Sequence, residues 1–197
     1  MERAIRGTAF VLCLLPFAAM LFGALSNSLG PDPGEQLMHV SGEWSLRLLA
    51  CTLLVTPLRY WTGWQVLLKM RRMLGLYAFF YACIHLLVFL QLFIGWLPRV
   101  LLEELVERPY ITVGFASLVL MLPLAVTSTR GMQRRLKRNW QRLHRLVYLA
   151  AILACVHLLW QSRSDVGEAL AYIVVFSLLL GWRIWHRRVR KQGAAAV

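Results

Sequence analysis

Three histidines lie inside or beside long apolar stretches of this chain, and they are the side chains with the clearest capacity for chemistry. His85 and His157 sit in the middle of two such stretches, and His144 lies near the start of the stretch that holds His157. An ionisable side chain inside a membrane span is costly and marks a functional site by default. Neutral imidazole is a good ligand for haem iron. The alternative is that each histidine only hydrogen-bonds to a neighbouring helix.

The depths of the two central histidines can be compared through the rise of an α-helix. His85 follows Arg72 by 13 residues, which corresponds to about 20 Å of helix. His157 follows Arg145 by 12 residues, or about 18 Å. Their helices are expected to be parallel, so the two imidazoles reach one depth, slightly beyond the midplane. Two imidazoles on neighbouring helices can hold a haem between them.

His144 presents a less complete case. It precedes His157 by 13 residues, about 20 Å along the axis, which is an interval suited to two stacked haems. On a straight helix these side chains point about 140° apart, so one shared face requires a π-bulge or a bend. The third span offers Arg71 at the corresponding depth, and a guanidinium that is always protonated cannot ligate iron. A second haem would therefore lack one identified ligand, and an interfacial histidine among arginines is the alternative.

The elements that must position these histidines are membrane helices. The 197 residues are 59% hydrophobic and 16% charged, and the mean hydropathy is +0.59, whereas soluble domains carry about 25% charged residues. We expect an all-α polytopic bundle in one domain, residues 1–197, and we recognise no internal repeat. The six apolar runs lie near 8–27, 44–58, 74–97, 111–128, 143–161 and 168–185.

Two of these runs leave alternatives open. The second run is short, so it either begins inside the preceding loop or tilts in a thinned region, and a re-entrant segment with five spans is the rival. The first run, 8–27, resembles a signal peptide with small residues near its end, but its length favours a retained signal-anchor helix.

Loop charges predict the orientation of the bundle. The net charge is +13, and 18 basic residues fall on the side that holds both termini, against Arg99, Arg108 and Arg163 in the opposite loops. The positive-inside rule therefore predicts cytoplasmic termini in a bacterial inner membrane. The basic charge follows from topology, so no nucleic-acid partner is expected. Eight of the nine acidic residues lie on the outer side, seven in segments near 28–43, 98–110 and 162–167 and the eighth, Glu168, directly after the last segment.

Longer stretches of this sequence resemble a known family. They read RRMLGLYAFFYACIHL, ERPYITVGFASLVLMLPLAVTST and QRRLKRNWQRLHRLVYLAAILACVHLLW, together with an earlier TPLR. They are similar to the MsrQ family, the haem-binding membrane subunits of periplasmic methionine sulfoxide reductase systems, in the ferric reductase-like transmembrane superfamily. The likeness runs from about Pro16 beyond His157, and the string Trp140–Tyr148 is its most specific part.

The resemblance implies cofactors, partners and ligands. It implies haem b, with one or two haems, and FMN. Electrons would come from the quinone pool or a cytosolic flavin reductase and leave to a periplasmic molybdopterin subunit of the MsrP type, which repairs oxidised periplasmic proteins. His85, His144 and His157 fall on the family's three intramembrane histidines, and the resemblance makes them the iron-binding residues. The wider superfamily commonly has four histidines, and the missing inner partner coincides with Arg71.

Other kinds of function leave fewer signs in the sequence. There is no Ser-His-Asp set, Walker loop or dinucleotide fingerprint, and the four cysteines form no CxxC pair. We therefore expect an electron-transfer subunit rather than the catalytic subunit of an oxidoreductase. A small membrane transporter or scaffold with structural histidines is the alternative.

Overall fold

The chain folds into helices that confirm the expected all-α architecture. The computed structural model describes residues 2–162 and 166–195, and within those ranges there is no strand. The helices are α1 (Glu2–Leu25), α2 (Pro33–Thr62), α3 (Val66–Phe89, continued by a π-helical turn, Leu90–Ile94), α4 (Pro98–Glu107), α5 (Pro109–Val126), α6 (Arg130–Leu136), α7 (Arg138–Leu143), α8 (Leu146–Gln161) and α9 (Gly167–Ala195).

Six of these elements run through the bundle. Five described segments are long and apolar enough to cross a membrane: Glu2–Leu25, Val66–Ile94, Pro109–Val126, Arg138–Gln161 and Gly167–Val189. The sixth, α2, is interrupted by charged residues but has 30 residues, about 45 Å of helix. It is continuous rather than re-entrant, and it packs along α3. The bundle therefore has the six helices that the apolar runs predict.

The start of α2 differs from the loop expected near 28–43. Asp32 caps the helix, because its carboxylate accepts a hydrogen bond from the backbone N–H of Glu35 at 2.9 Å. Pro33 occupies the first turn, where its missing N–H costs nothing. The second outer segment also contains a helix, α4, and residues 163–165 of the third lie outside the described residues.

Two antiparallel helix pairs, α2 with α3 and α5 with α8, form the closest packing in the bundle. Each pair is joined by the same kind of hydrogen bond. The hydroxyl of Ser45 donates to the carbonyl oxygen of Ala78 at 3.0 Å, and that of Ser117 donates to the carbonyl oxygen of Ala150 at 2.9 Å. Both alanines are fully buried. Small side chains and hydroxyl bonds of this kind let membrane helices approach closely.

The bundle has two chemically different ends. The basic end holds the N-terminal residues, the turn between α2 and α3, the short helices α6 and α7, and the C-terminal part of α9. The acidic end holds Asp32, the start of α2 and α4. At the basic end, Glu2 of α1 and Lys69 of α3 form an ion pair at 2.5 Å.

At the basic end, a buried arginine of α9 binds the backbone of α2 where a proline interrupts the helical hydrogen bonds. Pro57 has no N–H to donate to the carbonyl oxygen of Leu53, four residues earlier. The guanidinium of Arg183 donates to that oxygen at 2.8 Å and to the hydroxyl of Tyr148 at 2.7 Å. Arg183 is only 9% exposed. The arginine therefore replaces the hydrogen bond that the proline removes.

A tyrosine performs a related task for α1. Pro16 interrupts this helix, and the fully buried Tyr81 of α3 inserts its hydroxyl beside it. That hydroxyl donates to the carbonyl oxygen of Cys13 at 2.7 Å and accepts from the N–H of Phe17 at 2.9 Å. These bonds attach α1 to the helix that carries His85.

Candidate functional site

The structure brings His85 and His157 together. His85 projects from α3 and His157 from α8, and the centroids of their rings are 6.2 Å apart with the planes at 88°. Both side chains are half-buried. The matched depth deduced from helix rise thus corresponds to direct proximity of the two imidazoles.

Backbone carbonyl groups fix the protonation of both rings. Nδ1 of His157 lies 2.7 Å from the carbonyl oxygen of Tyr110 in α5. Nδ1 of His85 lies 3.0 Å from the carbonyl oxygen of Met38 in α2. A carbonyl oxygen only accepts, so each Nδ1 carries the hydrogen and each Nε2 keeps its lone pair. Within residues 2–162 and 166–195, neither Nε2 has a hydrogen-bond partner.

A buried hydroxyl adds a second contact at His85. The oxygen of Ser41, in α2, lies 3.3 Å from Nδ1 of His85 and donates its own hydrogen to the carbonyl oxygen of Leu37 at 2.6 Å. It can therefore only accept from the histidine. His157 has no comparable hydroxyl contact in the part of the chain that the structure describes. The two rings are thus held in the same tautomer by slightly different surroundings.

Glycines line the sides of both rings. A methyl group added at Gly114 of α5 would lie 2.6 Å from Nδ1 of His157, closer than real contacts allow. One added at Gly42 of α2 would lie 3.2 Å from Nδ1 of His85. Neither glycine was predicted as part of the site. The signal that could have found them is a short motif, Gly-x-x-Ser-Leu-x-Leu, present at 42–48 and again at 114–120.

The centroid distance of the pair is compatible with both imidazoles binding one metal ion. A metal–imidazole bond is about 2 Å long and the bonded nitrogen lies about 1.1 Å from the ring centroid, so two opposed ligands have centroids about 6.2 Å apart. The observed centroid distance is 6.2 Å. Two imidazoles suit a metal whose other coordination positions are filled by a macrocycle, as in haem. Among the described residues, no three His, Cys, Asp or Glu side chains converge.

His144 is placed apart from this pair, at the basic end. Its Nε2 lies 3.1 Å from the hydroxyl oxygen of Thr127, which donates its own hydrogen to the carbonyl oxygen of Pro123 at 2.6 Å. The hydroxyl therefore accepts from Nε2–H, so His144 has the tautomer opposite to that of His85 and His157. The ring of Trp140 stacks on the imidazole with centroids 4.0 Å apart.

A face shared by His144 and His157 would require a π-bulge or a bend, and the structure interrupts the helix at His144. α7 ends at Leu143 and α8 begins at Leu146, with His144 in the junction. Arg71 lies at the same end, within electrostatic range of His144, and makes no hydrogen bond or ion pair among residues 2–162 and 166–195. The structure shows no second imidazole beside His144 in these ranges.

Comparison with known proteins places the chain in a family. Residues 41–155 match the model of the ferric reductase like transmembrane component. The matched segment contains most of both helix pairs together with His85 and His144, and it ends two residues before His157. No solved structure matches the chain.

Several relatives share a name. A protein of Xanthomonas campestris pv. campestris is 52% identical over 82% of this chain and 74% of its own length. One of Xanthomonas axonopodis pv. citri is 49% identical over 86% of this chain and 78% of its own length. One of Ralstonia nicotianae is 44% identical over 98% of this chain and 91% of its own length. Each is named the haem-binding subunit MsrQ of protein-methionine-sulfoxide reductase. Similarity of this extent, together with the match over residues 41–155, shows that the chain belongs to the MsrQ family of ferric reductase-like transmembrane proteins.

Proposed function

We propose that this protein is a transmembrane haem b electron-transfer subunit in which His85 and His157 hold the haem. The observation that carries the proposal is the close pair of imidazoles, with centroids 6.2 Å apart and Nε2 unengaged among the described residues. The names of the relatives support haem binding. A bound haem b supplies a one-electron couple inside the membrane.

The protein's own groups prepare the pair for this role. The carbonyl oxygens of Met38 and Tyr110 orient each ring and raise the basicity of its free nitrogen, as such partners do in metal sites. The apolar bundle excludes water and keeps the imidazoles neutral, which is the form that binds iron. With this arrangement, neither histidine needs to gain or lose a proton during electron transfer.

The direction of electron flow follows from the two ends. We place both termini in the cytoplasm and the bundle in the bacterial inner membrane, because the basic end carries the loop arginines. His85 lies 19 residues after the start of α3 at Val66 and only nine before Ile94, which places the pair nearer the acidic end. Electrons enter from a quinol or a cytosolic flavin donor and leave to a periplasmic MsrP-type methionine sulfoxide reductase, which repairs oxidised proteins.

His144 and FMN form a second part of the proposal. We assign His144 as the ligand of a second haem, if one binds, and this requires its Nε2 to leave Thr127. FMN would bind at the basic end, where Arg71, Arg72 and the arginines of α6 and α7 supply positive charge for a phosphate. Both assignments rest on the family resemblance and on the charge of this end.

The experiment is a spectroscopic and functional assay of the purified protein in proteoliposomes. We expect a Soret band, split visible bands on reduction, and electron transfer from a quinol or a flavin reductase to an added MsrP-type enzyme outside. Haem and flavin are counted per chain by pyridine haemochrome and by fluorescence after extraction. A colourless preparation that transports a solute would instead support the transporter alternative and overturn the proposal.

A further inference from the structure

The pocket around His85 and His157 is built twice from equivalent parts of the chain. The helix pair α2–α3 and the helix pair α5–α8 are related by a constant offset of 72 residues. Adding 72 to Met38, Gly42 and His85 gives Tyr110, Gly114 and His157. No internal repeat was evident from hydropathy, because the two halves differ in charge and in loop length.

Short stretches of sequence also correspond at this offset. Gly-x-x-Ser-Leu-x-Leu occurs at 42–48 and 114–120, and Ala-Cys-x-His-Leu-Leu occurs at 82–87 and 154–159. The first stretch lies on α2 and α5, and the second lies on α3 and α8. The match covers the helix faces that meet around the two histidines.

The contacts of the two halves correspond as well. In each half, a carbonyl on the first helix accepts from the histidine 47 residues later, and a serine donates to the alanine carbonyl 33 residues later. The glycine four residues after that first carbonyl borders the same imidazole. Each half is therefore a complete holder for one ring, and the two holders face each other.

We propose that Gly42 and Gly114 are positioning residues for the two haem ligands. Each glycine leaves the space in which the ring lies against the backbone of the neighbouring helix, and the carbonyl one turn earlier fixes the rotation of that ring. The inference rests on the proposed haem ligation by His85 and His157. It adds that the backbone of α2 and α5, rather than side chains alone, sets the angle between the ligand planes.

The two holders differ in how tightly they fit. A Cβ atom at Gly114 would lie 2.6, 2.8 and 2.9 Å from three atoms of His157, so the ring must move. A Cβ atom at Gly42 would lie 3.2 Å from two atoms of His85, so a displacement of a few tenths of an ångström suffices. Since the carbonyl bond is also shorter at His157, by 2.7 against 3.0 Å, His157 is the more rigidly held ligand.

The test compares alanine substitutions of four helical glycines in the purified full-length protein. Gly114→Ala and Gly42→Ala are the test variants. Gly75→Ala is the matched control on α3, where the added Cβ lies 3.5 Å from Cγ2 of Thr52, and Gly181→Ala has nothing within 4 Å. The readouts are haem dissociation into apomyoglobin, the midpoint potential, and the EPR spectrum of the ferric protein. The spectrum reports the angle between ligand planes, which a loss of stability alone does not change.

We expect haem dissociation to accelerate by about tenfold or more in Gly114→Ala and by about threefold in Gly42→Ala, with the controls within about twofold of the unmodified protein. The EPR spectrum should shift in the same order. Wild-type dissociation and EPR signals in Gly114→Ala, or equal shifts in Gly75→Ala, would overturn the inference.

If Gly114→Ala fails to fold, the test rests on Gly42→Ala. An EPR spectrum of Gly42→Ala identical to that of Gly75→Ala would also overturn the inference. Unmodified protein without haem would refute the proposed function itself, whereas haem-loaded protein indifferent to Gly114→Ala refutes only the role of the glycines.

Discussion

The histidine pair near the acidic end and the single histidine at the basic end are held by different kinds of partner. His85 and His157 donate from Nδ1 to backbone carbonyls and keep Nε2 unengaged among the described residues. His144 donates from Nε2 to the hydroxyl of Thr127 and is stacked on Trp140. The same residue type thus keeps Nε2 unengaged in one place and engages Nε2 with a neighbouring helix in the other.

The surroundings reinforce this difference. Around the pair, glycines leave room for the imidazoles, backbone carbonyls accept hydrogen bonds from them, and no charged side chain forms a hydrogen bond or ion pair with the rings among the described residues. Near His144 the neighbours include Arg71, and the buried Arg183 lies at the same end. Membrane depth alone therefore does not make a histidine a haem ligand, because the partner of its second ring nitrogen decides which nitrogen is available.

The largest expected effect comes from completing the basic-end site. Arg71→His combined with Thr127→Val supplies a second imidazole near His144 and releases the Nε2 of His144. We expect haem content to rise from about one to about two per chain, measured by pyridine haemochrome. Arg72→His with Thr127→Val is the control, because Arg72 is exposed. Two haems per chain in the unmodified protein would contradict the difference drawn between the histidine pair and His144, since the basic-end site would then already bind haem.

Removing the buried arginine should destabilise the basic end without touching the pair. Arg183→Met removes the guanidinium donor of the Leu53 carbonyl oxygen and leaves the hydroxyl of Tyr148 with only the longer contact to Arg187, at 3.5 Å. We expect a loss of about 1–3 kcal/mol in the free energy of unfolding, measured in detergent. The exposed Arg188→Met should be neutral. An equal loss in both variants, or a changed haem spectrum in Arg183→Met, would contradict the separation of the two ends.

A smaller loss is expected when only the packing bond of His144 is removed. Thr127→Val keeps the shape of the side chain but removes the acceptor for Nε2–H. The free energy of unfolding should fall by about 1 kcal/mol, since hydrogen bonds between membrane helices are individually modest. Thr62→Val is the control, because the exposed Thr62 hydroxyl bonds only to nearby backbone, donating to the carbonyl oxygen of Leu58 and accepting from the N–H of Trp64. A destabilisation no larger than that of Thr62→Val would show that the bond to His144 does not hold the helices together.

The smallest effect concerns the outer surface. Glu103 and Glu104 of α4 are paired with Arg99 at 2.9 Å and Arg108 at 3.1 Å, so their charges are partly compensated. In the triple variant, glutamine replaces Glu103, Glu104 and Glu107. We expect reoxidation of the haem by an MsrP-type partner to slow by about twofold and the salt dependence of this rate to weaken.

Haem content should not change in this variant. Glu2→Gln, at the opposite end of the bundle, is the control. A wild-type rate across the whole range of salt concentrations would show that α4 is not the docking surface.

Much of the fold was predictable because hydropathy reports burial in lipid directly. The helices that contain His85 and His157 follow from apolar runs, and the common depth of these residues follows from helix rise. A start of the second helix inside the preceding loop was one of two alternatives, and the apolar run alone did not locate it at Pro33, because charged residues such as Glu35 lower the hydropathy there. The cap at Asp32 followed by a proline is a local signal that could have located this helix start.

The details of the site were less accessible. The direction in which an imidazole points depends on which helices pack together. Sequence periodicity does not show which helices are neighbours. The acceptors at Met38 and Tyr110 are backbone carbonyl groups, which every residue has, so the residue types do not reveal them. The partner of His144 is a side-chain hydroxyl, that of Thr127, and only the packing of the helices selects it. The 72-residue correspondence was present in the sequence, and it would have linked Gly42 to Gly114.

The most direct test of the central claim is the haem content and reduced-minus-oxidised spectrum of three single variants beside the unmodified protein. His85→Ala and His157→Ala should each abolish the low-spin bis-histidine signal, because each removes one axial ligand from the pair. His144→Ala should retain that signal with its position unchanged. A normal low-spin reduced spectrum in either His85→Ala or His157→Ala would contradict the assignment of these two residues as ligands of one haem.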